Sequence, residues 1–110
     1  MKRAKLPNIT EAAFQRQVIQ FASIHGWRTA HFRPGMNQRG RWMTAVQGQG
    51  AGFPDLVLVR GPRIIVAELK TRRTKPTIEQ VAWLQAFEAA GVPAYCWRPE
   101  EWAEIEEILG

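Results

Sequence analysis

The sequence predicts an α/β fold built on a mixed sheet with helices on both faces. Three observations carry that prediction. Two apolar runs, Leu56–Val59 and Ile64–Leu69, flank Gly61-Pro62 and read as an antiparallel hairpin. A helical pattern over about 78–90 separates the second run from a further strand, Val92–Trp97, and a β-α-β crossover sets those two strands parallel. Apolar residues at helical spacing stand near both ends of the chain, which supplies helices for the other face. The order is α-β-β-β-α-β with an added C-terminal helix, in one domain spanning 1–110.

Each element has its local reason. Thr10 is placed to cap a helix from Glu11 to about His25, with Phe14, Val18, Phe21 and Ala22 on one stripe and Gly26 as its stop. Trp27 to Phe32 reads as the first strand, broken by Arg33-Pro34-Gly35. Residues 34–52 form a long loop rich in Gly, Gln and Arg. Gly48-Gln49-Gly50-Ala51-Gly52 lacks the Lys-Ser/Thr of a nucleotide-binding loop and precedes a strand. Its glycines either let the backbone approach nucleic acid or bend it sharply into Pro54. The hairpin strands run over about 55–60 and 63–70, and Thr71 to Pro76 is a basic connection. Thr77 caps the second long helix, whose expected buried face is Ile78, Val81, Ala82, Leu84 and Phe87, and Gly91 stops it. Glu100 to Leu109 is a short acidic helix with Trp102, Ile105, Ile108 and Leu109 on one side, suited either to closing the core or to a two-fold interface.

Composition narrows the function. The net charge is +5, unevenly spread: residues 1–75 hold 14 Lys and Arg against 3 acids, a balance of +11. Residues 76–110 hold Arg98 against 7 Glu, a balance of −6. So basic a region suits a polyanion, of which nucleic acid is the usual one, or else forms a solvated face. No run of about 18 apolar residues exists, so no membrane span is expected, and no signal peptide follows the basic start. One cysteine, Cys96, allows no internal disulfide and fits a reducing, cytoplasmic setting, with the thiol in the core.

The chemistry concentrates at the hairpin. Glu68 and Lys70 lie two apart on one strand and point the same way, and Asp55 opens the neighbouring strand. Two carboxylates and an ammonium at the end of an apolar sheet are unfavourable unless something binds them. A divalent cation held by the acids, with the lysine beside its water, is the apparatus for hydrolysing a phosphodiester. The rival readings are a turn aspartate and a same-face ion pair. No spacing supports a Ser/His/Asp or Cys/His arrangement; His25 falls at a helix end, and His31 lies on the first strand.

Pro54-Asp55, twelve residues, then Glu68-Leu69-Lys70 resembles the PD-(D/E)XK nuclease signature. Thr10-Glu11-Ala12-Ala13-Phe14-Gln15, Gly52-Phe53-Pro54-Asp55-Leu56 and Thr77-Ile78-Glu79-Gln80-Val81-Ala82-Trp83-Leu84 bring the chain closer to the VRR-Nuc (virus-type replication-repair nuclease) branch, over about residues 9–97. That resemblance implies a restriction-endonuclease-like core. It also implies Mg²⁺ or Mn²⁺ held by Asp55, Glu68 and the Leu69 carbonyl, with Glu11 reaching the ion through water. Lys70 would orient the attacking water, and Gln80 would stand near the site. Glu11 equally suits a helix's first turn as a dipole complement, and Gln80 an exposed helix position. Gln15 falls one turn after Glu11 on the same side.

The expected activity is an endonuclease acting on branched DNA such as a Holliday junction, in DNA repair; symmetric cutting of a junction requires two sites and hence a homodimer. The preference for branched DNA comes from the resemblance alone. Arg33, Arg39, Arg41, Arg72, Arg73 and Lys75 are the candidate phosphate contacts, and Trp42 either stacks on an unpaired base or packs in the core. Trp27, Trp83, Trp97 and Trp102 are expected in the core or an interface. The alternatives are a nuclease on flaps, nicked duplex or RNA, a nucleic-acid-binding module without catalysis, and a structural partner subunit.

Overall fold

The computed structural model describes residues 9–32, 35–36, 42–43 and 49–110, of which 35–36 and 42–43 are described by backbone alone. The elements run α1 (Glu11–Ile24), β1 (Arg28–His31), β2 (Gly35–Met36), β3 (Trp42–Met43), β4 (Leu56–Arg60), β5 (Arg63–Leu69), α2 (Ile78–Ala89), β6 (Ala94–Trp97), a 3₁₀ turn (Pro99–Glu101) and α3 (Trp102–Leu109). The main sheet has the order β1-β4-β5-β6. β4 is antiparallel to β1 and β5, whereas β5 and β6 are parallel. The α/β class, the mixed sheet and the crossover through α2 are as the sequence predicts. The expected long loop differs: β2 and β3 pair within it as a small antiparallel ribbon, Gly35 opposite Met43 and Met36 opposite Trp42.

Caps explain where the helices begin. Thr10 accepts the Ala13 N–H at 3.1 Å. At α2 Thr77 and Gln80 form a reciprocal capping box, with Gln80 N–H donating to Thr77 Oγ1 at 3.1 Å and Thr77 N–H to Gln80 Oε1 at 2.8 Å. Gly26 follows α1 at φ 85°, where a side chain is disfavoured.

The core lies on one face of the sheet. Leu56, Leu58, Ile65, Ala67, Leu69 and Trp97 meet Phe14, Val18 and Ala22 of α1 and Ile105 and Leu109 of α3 in one buried cluster. Trp27 closes its far end, its indole N–H donating to the Leu109 carbonyl at 2.8 Å. Strand alternation places Val57, Val59, Ile64, Val66, Glu68, Ala94 and Cys96 on the opposite face. There α2 packs over β5 and β6. Phe53 anchors it, lying edge-on to Phe32, Trp83 and Phe87 with ring centroids 5.1–5.8 Å apart.

Two expectations about this second face are corrected. No residue of α2 is fully buried. Leu84 and Phe87 are half-buried as expected, but Ile78 is 86% exposed, and Val81 and Ala82 also face outward. The aromatic contacts of Trp83 and Phe87 with Phe53 set the helix's rotation instead. Cys96 is half-buried under α2, outside the apolar cluster, because it pairs in register with Glu68.

Candidate functional site

The hairpin register builds the site. Leu56 pairs with Ala67, so continuing the antiparallel ladder by one step sets Asp55 opposite Glu68. Both carboxyls therefore leave the sheet on the α2 face, and Asp55 Oδ2 accepts the Leu69 N–H at 2.9 Å. Lys70, just past β5, places Nζ 3.3 Å from Glu68 Oε2. Two backbone bonds hold this end of the sheet: Phe32 N–H to the Asp55 carbonyl at 2.8 Å, and Lys70 N–H to the Trp97 carbonyl at 2.9 Å.

Glu68 is only 2% exposed, and among the described residues its Oε1 has no hydrogen-bond partner. Such an orphan acceptor is unfavourable by about 1–3 kcal/mol. Burial, reinforced by the Asp55 carboxylate, pushes the Glu68 carboxyl up to about 7. Burial also raises Asp55 above the usual carboxylate range, with Glu11 adding to the rise while the Leu69 N–H and the Lys70 ammonium oppose it. Near neutral pH the pair therefore shares a proton for part of the time.

The other expected site residues divide. Glu11, in the first turn of α1, lies near enough to act electrostatically on Asp55. Gln15, next to the buried stripe of α1, is 6% exposed. Gln80 is drawn into the α2 cap. Arg72, Arg73 and Lys75 are exposed on the connection that leaves Lys70. Arg33, Arg39 and Arg41 lie outside the described residues; Trp42 sits on β3, its side chain likewise outside them. Among the described residues no three His, Cys, Asp or Glu side chains gather at metal-ligating reach. The carboxylate set there is the Asp55–Glu68 pair, joined by the Leu69 main chain.

Two contributions escaped the sequence reading. Gly52 packs against the start of α2: a Cβ there would lie 2.5 Å from the Glu79 carbonyl carbon and 2.6 Å from Gln80 N. Its glycine makes room for a helix, and nucleic-acid approach is not needed to explain it. Arg98, one residue past β6, donates to the carbonyls of Arg72 and Thr74. A composition count registers such an arginine only as charge.

Comparison of the chain with protein-family models, curated proteins and solved structures returned no match. No helix among the described residues is long and apolar enough to cross a membrane.

Proposed function

We propose that this chain is a divalent-cation-dependent endonuclease of the PD-(D/E)XK type, nearest the VRR-Nuc branch, with branched DNA as substrate. One observation carries the reading: a buried Glu68 oxygen without a partner among the described residues, beside Asp55 at the end of the β4–β5 pair, with the Lys70 ammonium alongside. Stability alone gives no reason to keep two carboxyls there, since burial disfavours their charged forms. Oxygen donors of this kind fit Mg²⁺ or Mn²⁺.

Asp55, Glu68 and the Leu69 carbonyl would hold the ion, and Glu11 would add negative charge behind Asp55. A divalent cation bound there supplies Lewis-acid polarisation of a phosphate and a more acidic water. Asp55 and Glu68 would hold such an ion as ionised carboxylates, giving up the proton they share without it. The Lys70 side chain would offset charge gathering on the phosphate and offer N–H donors to orient a water. The basic connection after Lys70 supplies contacts for the flanking phosphates.

The test is cleavage of a labelled four-way junction beside plain duplex, with and without Mg²⁺, by wild type and Lys70→Ala. Metal-dependent cutting lost in the variant supports the proposal; equal cutting by both proteins overturns it. A second reading is a nucleic-acid-binding module without catalysis. Calorimetric titration with Mn²⁺ separates the two, since only the nuclease reading expects saturable binding that Asp55→Asn removes.

A further inference from the structure

We propose that Arg98 is a positioning residue whose guanidinium holds the 71–75 connection as a preformed clamp for the DNA phosphates flanking the site. The ligand in this proposal rests on the nuclease reading; the brace rests on hydrogen bonds alone. β6 ends at Trp97, whose carbonyl accepts the Lys70 N–H at 2.9 Å. The next side chain, Arg98, turns back over the segment leaving Lys70. Its Nη1 donates to the Arg72 carbonyl at 3.0 Å and its Nη2 to the Thr74 carbonyl. Thr74 Oγ1 closes the same turn on the Thr71 carbonyl at 2.8 Å. The base of Arg98 is fixed in turn, its backbone N–H donating to Glu101 Oε1 at 3.0 Å.

The braced segment is strained and charged. Among the described residues Arg72 is the one non-glycine with positive φ, at 56°. A bulky residue stays in that region only where its surroundings over-determine it. The segment Thr71-Arg72-Arg73-Thr74-Lys75-Pro76-Thr77 holds no acid, and Arg72, Arg73 and Lys75 are exposed. Glu101 offsets part of the Arg98 charge. A neutral amide would satisfy the two carbonyls without setting a further cation beside Arg72, Arg73 and Lys75. A guanidinium there is unfavourable for the free protein and favourable once a polyanion lies across the segment. Fixing the segment in advance also removes an ordering cost from each phosphate contact.

Arg98→Lys tests this. It keeps the charge, but an ammonium lacks the planar fork that reaches two carbonyls at once. The variant is compared with wild type by trypsin cutting after Arg72 and Arg73, followed by mass spectrometry without DNA, and by junction cleavage kinetics in Mg²⁺. The expected result is faster cutting at those two positions and KM raised by roughly fivefold, with kcat within about twofold. Arg73→Ala is the comparator: it should weaken binding and lower the salt slope by about one, with no change in trypsin sensitivity at Arg72. Unchanged proteolysis of Arg98→Lys overturns the brace. Faster proteolysis with unchanged KM, or a fall in kcat at constant KM, overturns the clamp. Wild type that binds no junction DNA by fluorescence anisotropy overturns the ligand assignment. That failure is visible separately, because the proteolysis contains no DNA.

Discussion

The β4–β5 hairpin carries a charged cluster at each end, and the two ends are satisfied differently. At the turn, Arg60 Nη1 reaches the carbonyls of His25 at 3.0 Å, Leu109 at 3.2 Å and Gly110 at 3.4 Å. The Arg60 and Arg63 guanidiniums also lie 4.5 Å and 5.0 Å from the centre of the Trp27 ring. Those charges fasten the ends of α1 and α3 to the sheet. At the other end Glu68 is buried beside Asp55, with one oxygen unpartnered among the described residues and Lys70 3.3 Å from the other. The same two strands thus carry a cluster whose bonds close within the protein and one that leaves a bond to be made. The second kind is where a ligand is to be sought.

Substitutions can break or sharpen this contrast. The largest effect is expected at the open end: Asp55→Asn should lower junction cleavage by about a hundredfold or more. Circular dichroism and the thermal midpoint should stay at or above wild type, because a buried negative charge is removed. Undiminished cleavage by the purified variant would sink the site assignment. Next comes the closed end, where Arg60→Ala should cost about 2–3 kcal/mol by urea unfolding, through lost carbonyl bonds and an uncovered indole. Its cleavage rate well below the unfolding midpoint should match wild type; a selective loss of activity would contradict the division.

A smaller effect is expected from the Glu68 proton. Its folded pKa, about 7, lies above the ordinary 4.5, so the folded state binds the extra proton. That contribution is complete below about 4.5 and is lost as pH rises through about 7. Metal-free protein should therefore lose stability across that window, and Glu68→Gln should flatten the profile. Saturating Mg²⁺ should reverse the slope, since ionised carboxylates then gain a partner. A metal-free profile that rises with pH would refute the account of Glu68. The smallest effect belongs to Ile78→Ser, expected within about 0.5 kcal/mol because that side chain is 86% exposed. A loss above about 2 kcal/mol would mean that the outer side of α2 is covered in solution.

Much of the sheet was legible because its signals are local. Alternating strands, Gly61-Pro62 and the crossover length fix the hairpin and the parallel pair, and the hairpin brings Asp55 to Glu68 and Lys70. The face of α2 was not legible, since Ile78, Val81, Ala82, Leu84 and Phe87 leave apolar residues on several sides and periodicity favours none. The choice is made by Phe53 and by Gly52, more than twenty residues before the helix ends. Trp27 bonding to Leu109, Arg60 to Gly110 and Arg98 to Arg72 join positions far apart in the chain. No spacing rule predicts such contacts. Cys96 was misread for a related reason: its run is apolar, but its parity on β6 follows from pairing with β5.

That parallel pairing also bears on synthesis. β5 takes its second neighbour from residues 94–97, beyond a whole helix, and the Lys70 amide is held by Trp97. A ribosome-bound chain that ends before Pro93 already carries Asp55, Glu68 and Lys70, yet lacks the strand that fixes the end of β5. The acids reach their final alignment only after residues 94–97 have emerged and paired with β5.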